Sequence, residues 1–156
     1  MDVMKLSRSA MIAITVLRVV VGWHFLYEGV AKLTAASWSA AGYMKASRGP
    51  FAAFFHWIAS QPQLLDKANL ITSYGLTIIG VLLILGLFTR LAAIPLFINM
   101  VVAILTVKMK KVTGLDDFVE LDEPVYALAF LWLFIAGPGW ASLDHLLWTR
   151  VRRGGR

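Results

Sequence analysis

The stretch Ala68 to Thr89, ANLITSYGLTIIGVLLILGLFT, decides the fold class together with its neighbour Leu91 to Val107, LAAIPLFINMVVAILTV. Neither carries a charge, and only Arg90 separates them. A helix that crosses a bilayer needs about 20 mostly apolar residues. Two such runs with almost no linker predict a tight helical hairpin. Further out, Pro124 to Leu143 lies uncharged between Glu123 and Asp144. Ala10 to Leu33 is apolar too, although Arg18, Glu28 and Lys32 interrupt it. A cleaved signal peptide has a short, charge-free apolar core and a small-residue cleavage site. Arg18 in mid-segment argues against that, so this run reads as a span. The expected architecture is an all-α membrane protein, a four-transmembrane-helix bundle with spans at about 10–33, 68–89, 91–107 and 124–143.

Composition points the same way. Of the 156 residues, 59% are hydrophobic and 15% charged, with a mean hydropathy of +0.72. Soluble domains run at roughly 45–50% apolar and about 25% charged, and a small one cannot hide a large apolar excess. Soluble enzymes and disordered chains are therefore poor fits. The chain has no Cys, which excludes disulfides, thiolate nucleophiles and thiolate metal sites.

The connections differ in kind. Thr34 to Lys67 is long and rich in Ala and Ser. Within it Phe51, Phe54, Phe55 and Ile58 fall on one helical stripe. This predicts a short amphipathic helix at about 50–59, either lying in the membrane interface or capping the bundle. Lys108 to Glu123 is polar and carries both signs of charge, and a basic tail occupies 148–156. No internal repeat or second domain is visible, so 1–156 reads as one domain.

The net charge of +6 then describes topology. With four spans, one side carries Lys5, Arg8, Arg90, Arg150, Arg152, Arg153 and Arg156. The other carries Lys32, Lys45, Arg48, Lys67, Lys108, Lys110 and Lys111, an equal number. Short flanks outweigh long loops, which translocate regardless of charge. Both termini are therefore expected on the cytoplasmic side. Nucleic acid is not expected as a partner, because the basic residues are scattered along membrane edges.

At about 100° per residue, Arg18, Gly22, Phe25, Gly29 and Lys32 share a narrow sector of the first span, with Glu28 at its edge. Glu28 precedes Lys32 by four, the favourable order for an ion pair. Ionisable groups within a membrane mark function by default. Gly22 and Gly29 on that stripe would admit a neighbouring helix or a ligand. In the plainer reading, Arg18 and Lys32 snorkel or form structural pairs; in either reading Asp144 is the natural partner of Arg18. Gly75 and Gly86 share a face of the second span and Gly80 lies on another; close packing is the expected role. Gly137, Pro138 and Gly139 should break or kink the last helix, and Asn99 should form an interhelical hydrogen bond. His24 has no second mid-membrane histidine for a shared haem, since His56 and His145 lie at or beyond the interfaces. It reads as a hydrogen-bonded packing residue. No metal-ligand spacing appears.

In order along the chain stand Arg18-x3-Gly22 and Tyr27-Glu28-Gly29-x2-Lys32-Leu33. Gly80-x2-Leu83-x2-Gly86-Leu87-x-Thr89-Arg90 follows, then Glu123-Pro124, and finally Gly137-Pro138-Gly139-x2-Ser142-Leu143-Asp144. Taken together these motifs resemble the DoxX/DoxD family of small four-helix membrane proteins, over nearly the whole chain. The resemblance implies a protein of the bacterial cytoplasmic (inner) membrane. Some members of that family are membrane subunits of a thiosulfate:quinone oxidoreductase, and others are linked to redox or sulfur-stress complexes. Two positions depart from the pattern: Leu76 replaces an acidic residue, and Lys108 stands where relatives have a histidine.

Two expectations follow. In the first, the chain is a subunit of a quinone-linked oxidoreductase, working with a second oxidoreductase subunit or as a homo-oligomer. Gly22, Phe25, Gly29 and Lys32 are then candidates for seating a quinone headgroup. Arg18, Glu28, Lys32, Glu123 and Asp144 are candidates for stabilising charge or carrying protons. A fixed positive charge in low dielectric suits developing negative charge. In the second, the chain is a non-catalytic membrane scaffold or assembly factor whose charges serve structure.

Overall fold

A computed structural model describes residues 7–48, 50–104, 122–139 and 142–144. The helices are α1 (Arg8–Thr34), α2 (Ala41–Ala46), α3 (Ala52–Ser60), α4 (Pro62–Leu85), α5 (Thr89–Ala103) and α6 (Asp122–Ala136). The described residues contain no strand. Lys108, His145 and the tail at 148–156 lie outside them.

Helices α1 and α4, of 27 and 24 residues, are long and apolar enough to cross a membrane. At about 1.5 Å per residue, each exceeds the roughly 30 Å hydrocarbon thickness. Only 28% and 22% of their apolar windows are buried within the protein, unlike the core helix of a soluble domain. Val16, Val20, Trp23 and Tyr27 of α1 and Leu70, Ile71 and Ile78 of α4 are all more than half exposed. Lipid is the solvent that such a surface requires, and the chain is a membrane protein. The shorter α5 is also apolar.

Local chemistry sets the ends of the helices. The Ser7 hydroxyl accepts from the Ala10 N–H at 3.2 Å and starts α1. Pro62 occupies the first turn of α4, where its missing N–H costs nothing. That start moves α4 six residues ahead of the expected Ala68, and Asp66 and Lys67 fall in its opening turns. Gly86, at φ 67°, ends α4 through Gly86 N–H to Leu83 and Leu87 N–H to Leu82 bonds, a Schellman arrangement. Thr89 therefore belongs to α5, not to the preceding span. Helix α6 ends at Ala136, short of the expected Leu143, because Gly137 and Gly139 adopt φ values of 85° and 76°.

One core draws on four helices: Ile14, Val21 and Phe25 from α1, Leu83 from α4, Ala92, Ala93, Leu96 and Met100 from α5, and Ala127, Phe130 and Leu133 from α6. Packing is heaviest between α1 and α4 and between α5 and α6, and thinner between the two pairs. Glycines bring α1 and α4 together. A Cβ on Gly80 would stand 2.5 Å from the Leu26 backbone nitrogen, and one on Gly22 would stand 2.9 Å from Leu83 Cβ. Gly29 faces Thr77 just as closely. Removing Cβ lets backbones approach where the hydrophobic effect cannot drive association.

Three expectations need correction. A Cβ on Gly75 would meet nothing within 4 Å, so Gly80 rather than Gly75 is the packing glycine of α4. Asn99 is exposed and makes no hydrogen bond among the described residues, because the packed side of α5 runs through Ala92, Ala93, Leu96 and Met100. The aromatic stripe of the amphipathic helix is divided. Phe55 and Ile58 are half-buried, while Phe51, Phe54 and Trp57 face outward, so α3 buries no residue fully. The short helix α2, which buries Met44, has too few residues to show a period in sequence.

The glycine contact yields a paired test. Gly80→Ala should destabilise the protein by about 1–3 kcal/mol through overpacking. Gly75→Ala, in open space, should be neutral or stabilising by about 0.5–1 kcal/mol through helix propensity. Thermal unfolding in mild detergent, followed by circular dichroism, reads both; equal melting temperatures would remove the close approach from the account.

Candidate functional site

The two ends of α1 carry different chemistry. Near the end shared with the α4–α5 turn lies Arg18, only 2% exposed. Its Nη1 donates to the Pro138 carbonyl, in the irregular segment after α6. Gly86 leaves the space that the guanidinium fills, since a Cβ there would collide with it. Asp144 attracts the same guanidinium electrostatically, so the expected association of these two residues has a physical basis. The carboxylate itself reaches further. Its oxygens accept from the Phe88 N–H at 2.9 Å and the Thr89 N–H at 3.2 Å, while the Asp144 N–H donates to the Gly86 carbonyl at 3.1 Å.

Phe88 is the N-cap position of α5, has φ 50°, and offers no capping side chain of its own. Asp144 therefore caps α5 from a distant part of the chain. A carboxylate at a helix N-terminus satisfies orphan donors and opposes the positive end of the helix dipole. The same end is tied twice more. Arg90 donates to the Ile135 carbonyl at 3.3 Å and lies against Gly137, and Gly139 packs on Thr15 of α1. Thr89 is fully buried there, and its hydroxyl has no partner among the described residues.

The stripe on α1 faces two ways. Gly22 and Gly29 are closed by α4, and Phe25 is buried in an aromatic group. Lys32 bonds to Glu28 one turn earlier, and its Nζ lies 5.7 Å over the Trp38 ring. The Lys32 and Glu28 side chains remain 18% and 43% exposed. The structure thus brings Glu28 and Lys32 together, and Arg18 and Asp144 together at the opposite end. Glu123 is half-buried in the first turn of α6, beside Asp122. Leu76 packs against the core.

Two residues not singled out by the motifs belong to the Glu28 end. His24 stacks on Tyr126 of α6 at 5.0 Å between centroids and 19° between planes, and Phe25 meets both rings edge-on. Tyr126 lies within electrostatic reach of Glu28 and Asp122. His24 makes no hydrogen bond among the described residues, contrary to expectation, because its neighbours across the seam are rings. His24, Glu28 and Lys32 recur every fourth residue, a ladder readable in the sequence; Tyr126 had no such signal.

The cap can be tested directly. Asp144→Ala should cost about 1–2 kcal/mol, the usual loss on deleting a cap acceptor, and Asp144→Asn clearly less, since the amide oxygen still accepts. Thermal unfolding in detergent would show the order; an Asn variant as unstable as the Ala variant would assign the effect to charge alone.

A family model described as DoxX matches residues 13–109, which span α1 to α5. The chain is also similar to the uncharacterized membrane protein Rv3486 of Mycobacterium tuberculosis (strain ATCC 25618 / H37Rv), with 29% identity over 145 residues, covering 86% of this chain and 81% of that protein. No solved structure matches the chain. The family match covers more than half of the sequence and contains Arg18, the packing glycines and the α4–α5 turn, and on this ground the chain belongs to the DoxX family.

Proposed function

We propose that the chain is the membrane subunit of a quinone-linked oxidoreductase, with α1, α4, α5 and α6 forming a four-span bundle in the bacterial inner membrane. The observation that carries this reading is the Glu28–Lys32 pair. It sits on a membrane-crossing helix, is partly accessible, and is a pair within α1 rather than a salt bridge between helices. Ionisable groups placed so in a membrane are expensive to keep, which favours a chemical role. A lysine ammonium beside a quinone headgroup would stabilise negative charge on its oxygens, and Glu28 could hold or release the accompanying proton. The chain has no Cys to hold an iron–sulfur cluster, and in this reading a second oxidoreductase subunit carries the electrons.

The quinone fits one part of α1 better than another. The glycine stripe offers no cradle, since α4 fills the space at Gly22 and Gly29. The Lys32 end, where the Lys32 and Glu28 side chains are partly exposed, suits a headgroup entering from lipid. The scaffold reading also has a specific observation in its favour. Arg18 and Asp144 are engaged with backbone carbonyl and amide groups, a structural use of charge.

Purification in mild detergent should yield bound quinone and a co-purifying oxidoreductase subunit. Lys32→Met should lower quinone-dependent turnover of that complex at least tenfold while leaving the amount of assembled protein unchanged. Turnover unaffected by Lys32→Met, with no quinone and no redox partner recovered, would leave the scaffold reading standing. Orientation is tested separately. With cytoplasmic termini, a cysteine introduced at Arg153 stays unreactive toward an impermeant maleimide in intact cells and reacts after permeabilisation.

A further inference from the structure

We infer that His24 and Tyr126 form the ring-binding part of a ligand site in the seam between α1 and α6. Its ligand would be a planar, lipid-soluble molecule carrying carbonyl or hydroxyl oxygens, the chemical class that includes quinones. The inference rests on the quinone-linked reading and gives that reading a location, with His24 about two helical turns from Lys32.

Three observations support it. First, His24 is exposed and Tyr126 half-buried, yet neither the imidazole nor the phenol hydroxyl makes a hydrogen bond among the described residues. His24 lies ten residues before the end of α1, about 15 Å along the axis, and so within the depth of a bilayer. Polar atoms there cannot turn to water, and an unmet hydrogen bond in an apolar medium costs several kcal/mol. An imidazole and a phenol that keep their polar atoms unbonded are suited to a ligand that brings its own oxygens.

Second, the site has a flat aromatic floor, because His24 and Tyr126 stack on one another at 5.0 Å and His24 is the exposed member. His24 and Tyr126 are near parallel, Tyr126 continues onto Phe130 at 6.5 Å and 23°, and Phe25 closes the base edge-on at 5.3 Å from His24. Planar rings recognise planar rings through offset stacking. Third, the seam is the thin boundary between the two tightly packed helix pairs. Trp23 and Tyr27, 65% and 66% exposed, flank it on α1. A ligand dissolved in lipid reaches this seam sideways without unfolding either pair. Glu28, which acts on Tyr126 electrostatically, links the ring site to Lys32.

The test uses the full chain in phosphatidylcholine nanodiscs and radiolabelled decylubiquinone, with empty nanodiscs as background. Wild type should bind saturably. Tyr126→Phe and His24→Phe keep an aromatic ring in the stack and delete only the polar atoms, so folding is preserved, as a thermal melt would show. Each should raise Kd by about five- to tenfold, the worth of one hydrogen bond. Saturable binding with Kd unchanged in both variants would overturn the site and leave the quinone reading intact. No saturable binding by wild type would overturn both. On the wild-type chain, an azido-quinone photoprobe should label residues within 23–28 of α1 or 123–130 of α6. Labelling confined to other segments would overturn the site whatever the variants do.

Discussion

The first turn of α5 is held by a carboxylate 56 residues away in sequence. In water such a helix start would be solvated, and the choice of cap would matter little to the rest of the molecule. In a membrane protein the orphan N–H groups must find protein acceptors, and Phe88 supplies none. Asp144 does so, and it can only do so if the segment after α6 folds back onto the α4–α5 turn. The Arg18 bond to Pro138 and the Asp144 N–H bond to Gly86 then follow from the same return. One capping interaction thus fixes where α1, the α4–α5 turn and the end of α6 meet.

From that point the helices diverge under different constraints. The α1–α4 pair is set by backbone approach at Gly22, Gly80 and Gly29, where no side chain intervenes. Between α1 and α6, large rings intervene instead: Phe25, Tyr126 and Phe130. The first contact is rigid because any added atom collides. The second is a layer of side chains, in which Phe25 and Phe130 are buried and Tyr126 is half-buried beside the exposed His24.

Much of this was legible in the sequence, and the reasons are local. An uncharged run reveals α4, and a long apolar run reveals α1 despite the three charges within that run, because bilayer thickness fixes a minimum length that few soluble helices share. Helix ends were less legible. Residues 62–67 are polar enough to resemble a loop, yet Pro62 starts a helix and Asp66 and Lys67 stand exposed in its opening turns. Gly86 reads in the sequence as a packing glycine inside a span running to Thr89, and its left-handed, helix-ending conformation shows only in three dimensions. Arg18 and Asp144 stood out as charges in apolar company, and their proximity followed from that. Their hydrogen bonds to backbone groups did not, because a helix wheel shows which faces coincide but not which amide lacks an acceptor. Gly75 and Gly80 are chemically identical in sequence; the crossing point of α1 alone selects Gly80.

The division of α1 into two polar ends also explains why its motif residues do not act as one unit. Arg18 and Lys32 share a sector by helical arithmetic, and a sector alone would suggest a continuous polar groove. Gly22 and Gly29 lie between them, however, and α4 presses into the space they leave, so the groove is filled with backbone. The polar ladder that stays open is the neighbouring one, His24, Glu28 and Lys32, turned toward the α1–α6 seam. A helix in lipid can give one face to close packing and another to a mobile guest, but not the same face to both. Glycine therefore marks where a neighbouring helix sits, and the aromatic seam beside it is where a ligand can be admitted.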